Sequence, residues 1–233
     1  RFGADDVASA FDHFSSLAAE AIVVIAPVDS LAEAVASQGA SVPVVAVSGG
    51  RAFGRGVSVV HADQRGGARA LAEHLMSLGH RDIACVAGPQ EWFEARERVA
   101  GWREAMDEAD LPKREPLVGS WEARWGYVAG QNLVEDGLPD AVMCANDEVA
   151  VGLLRAFAEA GVSVPGDVSV AGFDDVPMAA YAGPGLTTVR QDFADLGRCA
   201  LEAVSHALDG ESVDTYVRPT RLIVRGSTGV CGR

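Results

Sequence analysis

Short apolar runs alternate with longer amphipathic stretches along nearly the whole chain, and few architectures accept that order. Strand-like runs fall at 21–26, 43–47, 57–60, 82–87, 116–119, 141–144 and 168–171, with later ones at 187–190, 215–217 and 221–224. Between them a helical pattern reads over 5–19, 31–38, 64–78, 92–109, 123–135, 148–160 and 193–208. This alternation predicts an α/β protein with doubly wound parallel sheets. The punctuation agrees. Asp63 can cap the helix that follows it, Gly79 stops that helix, and Gly161 closes another with Pro165 beyond. The run at 21–26 is apolar on both faces, as a strand between neighbours should be. One helix alone precedes it, so the first lobe is expected to lack its opening β-α-β elements, with residues ahead of Arg1 absent.

Composition narrows the class. The chain has 233 residues, 48% hydrophobic and 22% charged, which suits one or two globular lobes. No apolar run approaches the length of a membrane span, so no membrane partner is expected. The start, Arg1-Phe2-Gly3-Ala4-Asp5-Asp6, is not a signal peptide and carries no initiator Met, so the sequence reads as a mature or truncated product. A formal net charge of -14 argues against this piece gripping nucleic acid itself, because phosphate binding needs clustered Lys and Arg. Cys85, Cys144, Cys199 and Cys231 show no metal-ligand spacing and read as small hydrophobes in a reducing cytosol. The histidines are scattered. No metal site and no cofactor is expected.

Residues 168–191, VSVAGFDDVPMAAYAGPGLTTVRQ, are the most informative stretch for function. An apolar strand ends in Gly172-Phe173-Asp174-Asp175, and a carboxylate directly after a buried strand stands where α/β proteins bind ligands. An ordinary Asx-type turn explains the same four residues. Gly185-Leu186-Thr187-Thr188-Val189 and Gln191 follow.

Taken together the motifs resemble the effector-binding core of the lactose repressor (LacI/GalR) family of bacterial transcription regulators. The landmarks run from Asp63 through Glu73-His74-Leu75, Leu78-Gly79-His80-Arg81-Asp82-Ile83 and Ala87-Gly88-Pro89 to Arg96-Glu97-Arg98-Val99-Ala100-Gly101-Trp102. Next come Gly119-Ser120-Trp121, Ala145-Asn146-Asp147-Glu148 and Val164-Pro165-Gly166-Asp167, then the Gly-Phe-Asp-Asp turn. Leu186-Thr187-Thr188-Val189-Arg190-Gln191-Asp192-Phe193 and Leu222-Ile223-Val224-Arg225-Gly226-Ser227-Thr228 complete the set. Each is weak alone; their order and spacing over nearly the whole chain are specific.

The resemblance implies a periplasmic-binding-protein-like fold of two lobes joined by three crossovers, with effector held between the lobes. One lobe maps to 1–62 and 191–218, the other to 63–190 and 219–228, with 229–233 as a tail. It also implies a helix-turn-helix headpiece, absent from this chain, that meets operator DNA, a homodimer, and a cytoplasmic location.

By the same resemblance Arg98, at an R-x-x-G position, grips the effector, and its planar fork suits neighbouring sugar hydroxyls. Arg96 and Arg103 read better as surface arginines. Asn146 combines helix capping with ligand contact, while Asp147 is assigned mainly to capping and the helix dipole. Asp174 accepts from hydroxyls opposite Arg98; Asp175 reads as structural. Trp121 offers a flat apolar face to a sugar ring, with Trp125 extending or supporting it, and Trp102 reads as core. Gln191 bridges effector and hinge, and Trp92, Glu94 and Phe193 line the pocket, Phe193 reading almost as well as core. Many members carry an acidic residue near the end of 43–47, where this chain reads Val45-Ala46-Val47-Ser48-Gly49-Gly50. Trp92, Arg98 and Trp121 look more like saccharide-responsive members than purine-responsive ones. Replacing Arg98 or Asp174 by alanine is expected to abolish sugar binding and spare the fold.

Two other functions fit the same fold. A periplasmic or secreted sugar-binding protein for transport would share the cleft. A glycosidase would need two carboxyl groups across the scissile bond, and Asp174 alone is well aimed, so no catalytic residue is expected.

Overall fold

The computed structural model of the chain describes residues 4–37, 42–49, 53, 56–211 and 215–232. The chain divides into two compact units, one made of Arg1–Asp63, Glu91–Glu94 and Asp192–Pro219, the other of Gln64–Gln90, Ala95–Gln191 and Thr220–Arg233. The chain therefore passes between units at 63/64, 191/192 and 219/220, with a four-residue excursion at 91–94.

The first unit holds α1 (Ala4–Ser16), β1 (Ile22–Ile25), α2 (Asp29–Ser37), β2 (Val44–Val47) and β3 (Val57–Ala62). Its four-stranded sheet runs β1-β2-β3 and ends with a strand from late in the chain, Thr215–Arg218, all parallel. Alternation along the strands sorts the core onto two faces. Val44, Ala46, Val57 and Val59 pack with Val7, Phe11, Ala32 and Val35 from α1 and α2. Val45, Val60 and Ala62 pack with Leu196, Cys199, Ala200 and Ala203 of the helix Phe193–Leu208. At the end of β2, near the position where many members of the resembled family carry an acidic residue, the Ser48 hydroxyl donates to the Ala26 carbonyl at 3.0 Å. Helix α1 stops at Ser16 rather than 19, with Ala18 in a left-handed turn at φ 53°. Position 38, the predicted last residue of α2, lies outside the described residues.

The second unit holds α3 (Gln64–Ser77), β4 (Ile83–Ala87), most of α4 (Phe93–Glu108), β5 (Leu117–Val118), α5 (Ala123–Asp136), β6 (Ala141–Cys144), α6 (Asp147–Glu159) and β7 (Ser169–Ala171). After a 3-10 turn at Pro177–Tyr181 comes β8 (Thr188–Arg190). In chain order α7 (Phe193–Leu208) and β9 (Thr215–Arg218) complete the first unit, and β10 (Arg221–Ile223) returns to the second. The main sheet is parallel in the order β5-β4-β6-β7. One face is covered by Leu71, Leu75, Val99, Trp102 and Met106 of α3 and α4. The other is covered by Leu133, Val149, Leu153 and Phe157 of α5 and α6.

Two departures from simple strand–helix alternation stand out. β8 and β10 form an antiparallel ribbon, Val189 opposite Leu222. The ribbon extends the main sheet through parallel bridges Ala171–Thr187 and Asp174–Arg190. The last residues also dock on this unit: the Cys231 amide donates to the Leu78 carbonyl at 2.8 Å and a His80 ring nitrogen meets the Gly229 carbonyl at 3.0 Å. Helices α5 and α6 approach so closely that a Cβ at Gly126 would lie 1.8 Å from the Val149 carbonyl oxygen, and one at Gly152 1.8 Å from that of Ala123.

Candidate effector-binding site

The polar residues of the second unit gather beyond the carboxyl ends of β4, β6 and β7, where parallel strands leave a crevice for ligands. β6 delivers Ala145 and Asn146. β7 delivers Gly172, Phe173, Asp174 and Asp175. A Cβ on Gly172 would stand 2.3 Å from Asp147 Oδ1 and 2.9 Å from Leu186, so the strand can leave the core here only through glycine. The two aspartates that follow have φ of 104° and 55°. Such angles strain a side-chain-bearing residue, Asp174 most, and need support from their surroundings.

That support is electrostatic and specific. Asp175 is bound by Arg190 Nε at 2.5 Å and Arg225 Nη2 at 2.7 Å, with its side chain 3% exposed. Burial alone would raise its carboxyl; the Arg225 and Arg190 hydrogen bonds outweigh this and hold it below the usual range. Asp147 backs the turn from inside. Its amide donates to the Phe173 carbonyl, its Oδ2 accepts the Val176 amide at 2.8 Å, and its Oδ1 accepts the Thr188 hydroxyl at 2.6 Å. Burial pushes the Asp147 carboxyl up to about 6, against the lowering effect of those two hydrogen bonds. The capping expected of Asp147 belongs instead to Asn146, whose Oδ1 accepts the Val149 amide at 2.8 Å.

Arg98 lies at the centre, 5% exposed. Its guanidinium donates from Nη2 to Asp174 Oδ1 at 3.0 Å, from Nε to Gln64 Oε1 at 2.9 Å, and from Nη1 to the Ala145 carbonyl. It stacks 3.9 Å over the Phe173 ring and stands 5.5 Å from that of Trp121. Gln191 Nε2 reaches Asp174 Oδ1 at 2.7 Å. Among the described residues no hydrogen bond reaches Asp174 Oδ2; both bonds to this carboxylate end at Oδ1. Trp121 lies on the bare backbone of Gly88, where a Cβ would meet its ring at 2.7 Å. Asn146 Nδ2 holds the Trp121 carbonyl at 3.1 Å, and Trp125 Nε1 donates to the Ala87 carbonyl at 3.1 Å.

The structure thus brings Arg98, Trp121, Asn146, Asp174 and Gln191 together in one unit. Trp92, Glu94 and Phe193 belong to the other, where Trp92 bridges to Val28 and Phe193, 58% exposed, is not a core residue. Trp102 is fully buried, as read, whereas Arg96, read as a surface arginine, is half-buried and donates to the Gln90 carbonyl at 3.0 Å. Gln64 was missed; its sole advance signal is a neutral amide on the first residue of a helix, directly after a unit boundary. Among the described residues no group of His, Cys, Asp or Glu could hold a metal ion, and no helix is long and apolar enough to cross a membrane.

Residues 72–228 match the periplasmic binding protein-like domain family. The chain is 35% identical over 164 residues to the lactose operon repressor of Escherichia coli K12, covering 70% of this chain and 46% of that protein. It is 36% identical over 164 residues to the HTH-type transcriptional repressor PurR of Vibrio parahaemolyticus, covering 69% and 49%. The chain spans about half the length of the curated relatives it matches. Among solved structures, the lac repressor dimer bound to operator and the anti-inducer ONPF aligns with a TM-score of 0.86 at 29% identity, over 98% of this chain and 80% of that one. The transcriptional regulator CelR–cellobiose complex aligns with a TM-score of 0.84 at 31% identity, over 95% and 70%. With the fold, the strand-end polar cluster and these likenesses in agreement, the chain belongs to the periplasmic binding protein-like domain family and, within it, to the lactose repressor family of regulators.

Proposed function

We propose that this chain is the effector-binding core of a sugar-responsive transcriptional regulator, and that a small saccharide is held by the Arg98–Asp174 clamp. The observation that carries this reading is the opposed pair itself: a buried cation and a carboxylate joined through one oxygen, with the second oxygen unengaged. A sugar hydroxyl both donates and accepts, so it can give its proton to Asp174 Oδ2 and take one from Arg98. Each such charged hydrogen bond is worth about 1.5–3 kcal/mol. Trp121 supplies an apolar wall, and Asn146 and Gln191 supply neutral partners. Residues of the second unit alone carry the reading; Trp92, Glu94 and Phe193 stand in the first. The relatives named for lactose and cellobiose favour a saccharide, and no cofactor is required.

Regulation follows if the saccharide binds one arrangement of the protein better than another. A separate DNA-binding segment then reads the change at operator DNA in the cytoplasm, because this acidic chain would repel phosphate. A homodimer is supported by the dimeric relative and by Met178 and Tyr181, 59% and 85% exposed, which share one face of the 3-10 turn; sedimentation tests it.

The decisive experiment is a thermal-shift panel of methyl β-galactoside, cellobiose, ribose and hypoxanthine, followed by calorimetry. A saccharide is expected to raise Tm by mass action, and hypoxanthine is not. Arg98→Ala is expected to abolish binding. Where the sequence suggests an intact fold, the burial of Arg98 leads us to expect a loss of stability as well, because removing one partner of a buried pair costs about 3–5 kcal/mol. Asp174→Asn is the cleaner variant: its carbonyl can keep both bonds at Oδ1 and changes the atom facing the ligand. Unchanged binding in both variants would sink the assignment.

A further inference from the structure

Four side chains from distant parts of the sequence close a ring around the clamp. Arg98 Nε donates to Gln64 Oε1, Gln64 Nε2 donates to Gln191 Oε1 at 2.6 Å, Gln191 Nε2 donates to Asp174 Oδ1, and Arg98 Nη2 donates to the same Oδ1. The direction of every bond is forced. A guanidinium can only donate and a carboxylate can only accept, so the amides between them have one allowed orientation each. Turned over, Gln64 would set its NH2 against Arg98, and Gln191 its oxygen against Asp174. Gln64 is 6% exposed and Gln191 7%, so water cannot substitute cheaply for a missing partner.

We propose that Gln64 is a positioning residue of the effector clamp: its amide aims the Arg98 fork and, through Gln191, orients the Asp174 carboxylate toward the ligand. Gln64 need not touch the ligand to do this. It is also the first residue of the second unit, directly after Asp63, whose amide donates to the Arg218 carbonyl at 2.9 Å. Gln191 is the last residue before another boundary, followed by Asp192, which caps α7. The ring therefore joins the clamp to two of the places where the chain changes units. Its effect on affinity rests on the saccharide reading above; its effect on the clamp's geometry does not.

The test compares Gln64→Met, close in size and without hydrogen bonds, with Gln64→Glu, which keeps the acceptor for Arg98 and loses the donor for Gln191. In the ligand-free chain, nitrogen–proton spectra report the Arg98 Nε–H, assigned by its loss in Arg98→Lys, and the Gln191 side-chain amide. Gln64→Met is expected to move both signals and remove their protection from exchange. Gln64→Glu is expected to keep a protected Arg98 signal and disturb the Gln191 amide alone, a split that a loss of packing would not produce. For the panel saccharide giving the largest thermal shift, Gln64→Met is expected to weaken binding tenfold or more. Unmoved Arg98 and Gln191 signals in Gln64→Met, or affinity within twofold of the parent chain, would overturn the proposal. If the parent chain binds no sugar in the panel, the saccharide reading fails, and the ligand-free spectra still decide the role of Gln64.

Discussion

The two units use the same four-stranded parallel plan and place their polar groups very differently. Among the described residues, the first unit buries Ser48 and Ser58 as its polar side chains. The second buries Gln64, His80, Arg98, Asn146, Asp147, Ser169, Thr187, Thr188, Gln191 and Ser227. Their sheets differ in parallel. Every residue of the inner strands β4 and β6 is buried, whereas the inner strands β2 and β3 of the first unit leave Val47 and His61 half-buried; the edge strands β1 and β5 are open in both. A buried polar network is stable only when it is fully paired and shielded from water. In the second unit the fully buried strands β4 and β6, with helices on both faces, supply that shield, and the buried polar groups have collected around them.

Thiol reactivity offers the widest test of this difference. Cys85 and Cys144 lie in β4 and β6, and burial pushes the Cys85 thiol up to about 12 and Cys144 well above its usual value. Cys199 reports on the first unit and Cys231, half-buried, on the tail. Pulsed maleimide labelling read by mass spectrometry is expected to modify Cys231 first, Cys199 next, and Cys85 and Cys144 last. Opening free energies run from near zero to at least about 5 kcal/mol, so rates should spread over roughly four orders of magnitude. Equal rates for Cys199 and Cys85 would show that the units open together.

Core truncation comes next. Trp102 is wholly buried between α4 and the sheet, so Trp102→Ala is expected to cost about 3–5 kcal/mol in denaturant unfolding. Ile25→Thr, on the exposed edge of the first unit, is expected to stay within about 0.5 kcal/mol.

The pH dependence carried by Asp147 is expected to be smaller than the cost of truncating Trp102. Its folded-state value of about 6 lies above the ordinary 3.8, so the folded chain holds this proton more tightly than the unfolded one. Its contribution is therefore most favourable below about pH 4, declines as pH rises toward 6, and levels off above. The span is at most about 3 kcal/mol, from two pKa units at 1.36 kcal/mol each. Asp147→Asn should remove this slope, so the melting-temperature difference, parent minus variant, should shrink between pH 4 and pH 6.

Much of this was legible in sequence because it is local. Strand and helix order follows from periodicity, and a glycine then a carboxylate after a buried strand announces a turn at a strand end. What stayed hidden depends on partners far apart in the chain. Gln64 meets residues 34 and 127 positions away. Asp147, read as a helix cap, is turned to Thr188 and Val176 because Asn146 already holds the cap. The antiparallel pairing of β8 with β10 is set by tertiary placement, since short apolar runs carry no direction.

The close approach of α5 and α6 at Gly126 and Gly152 reaches beyond packing. With backbone against backbone, these helices cannot slide independently, and Asn146 stands at the head of one while Trp121 leads into the other, tied by a hydrogen bond. The aromatic wall and the neutral amide form a single plate. If the proposed saccharide binds here, its ring face and its hydroxyls would meet parts that are mechanically joined, and substitutions that retune one would be expected to shift the other.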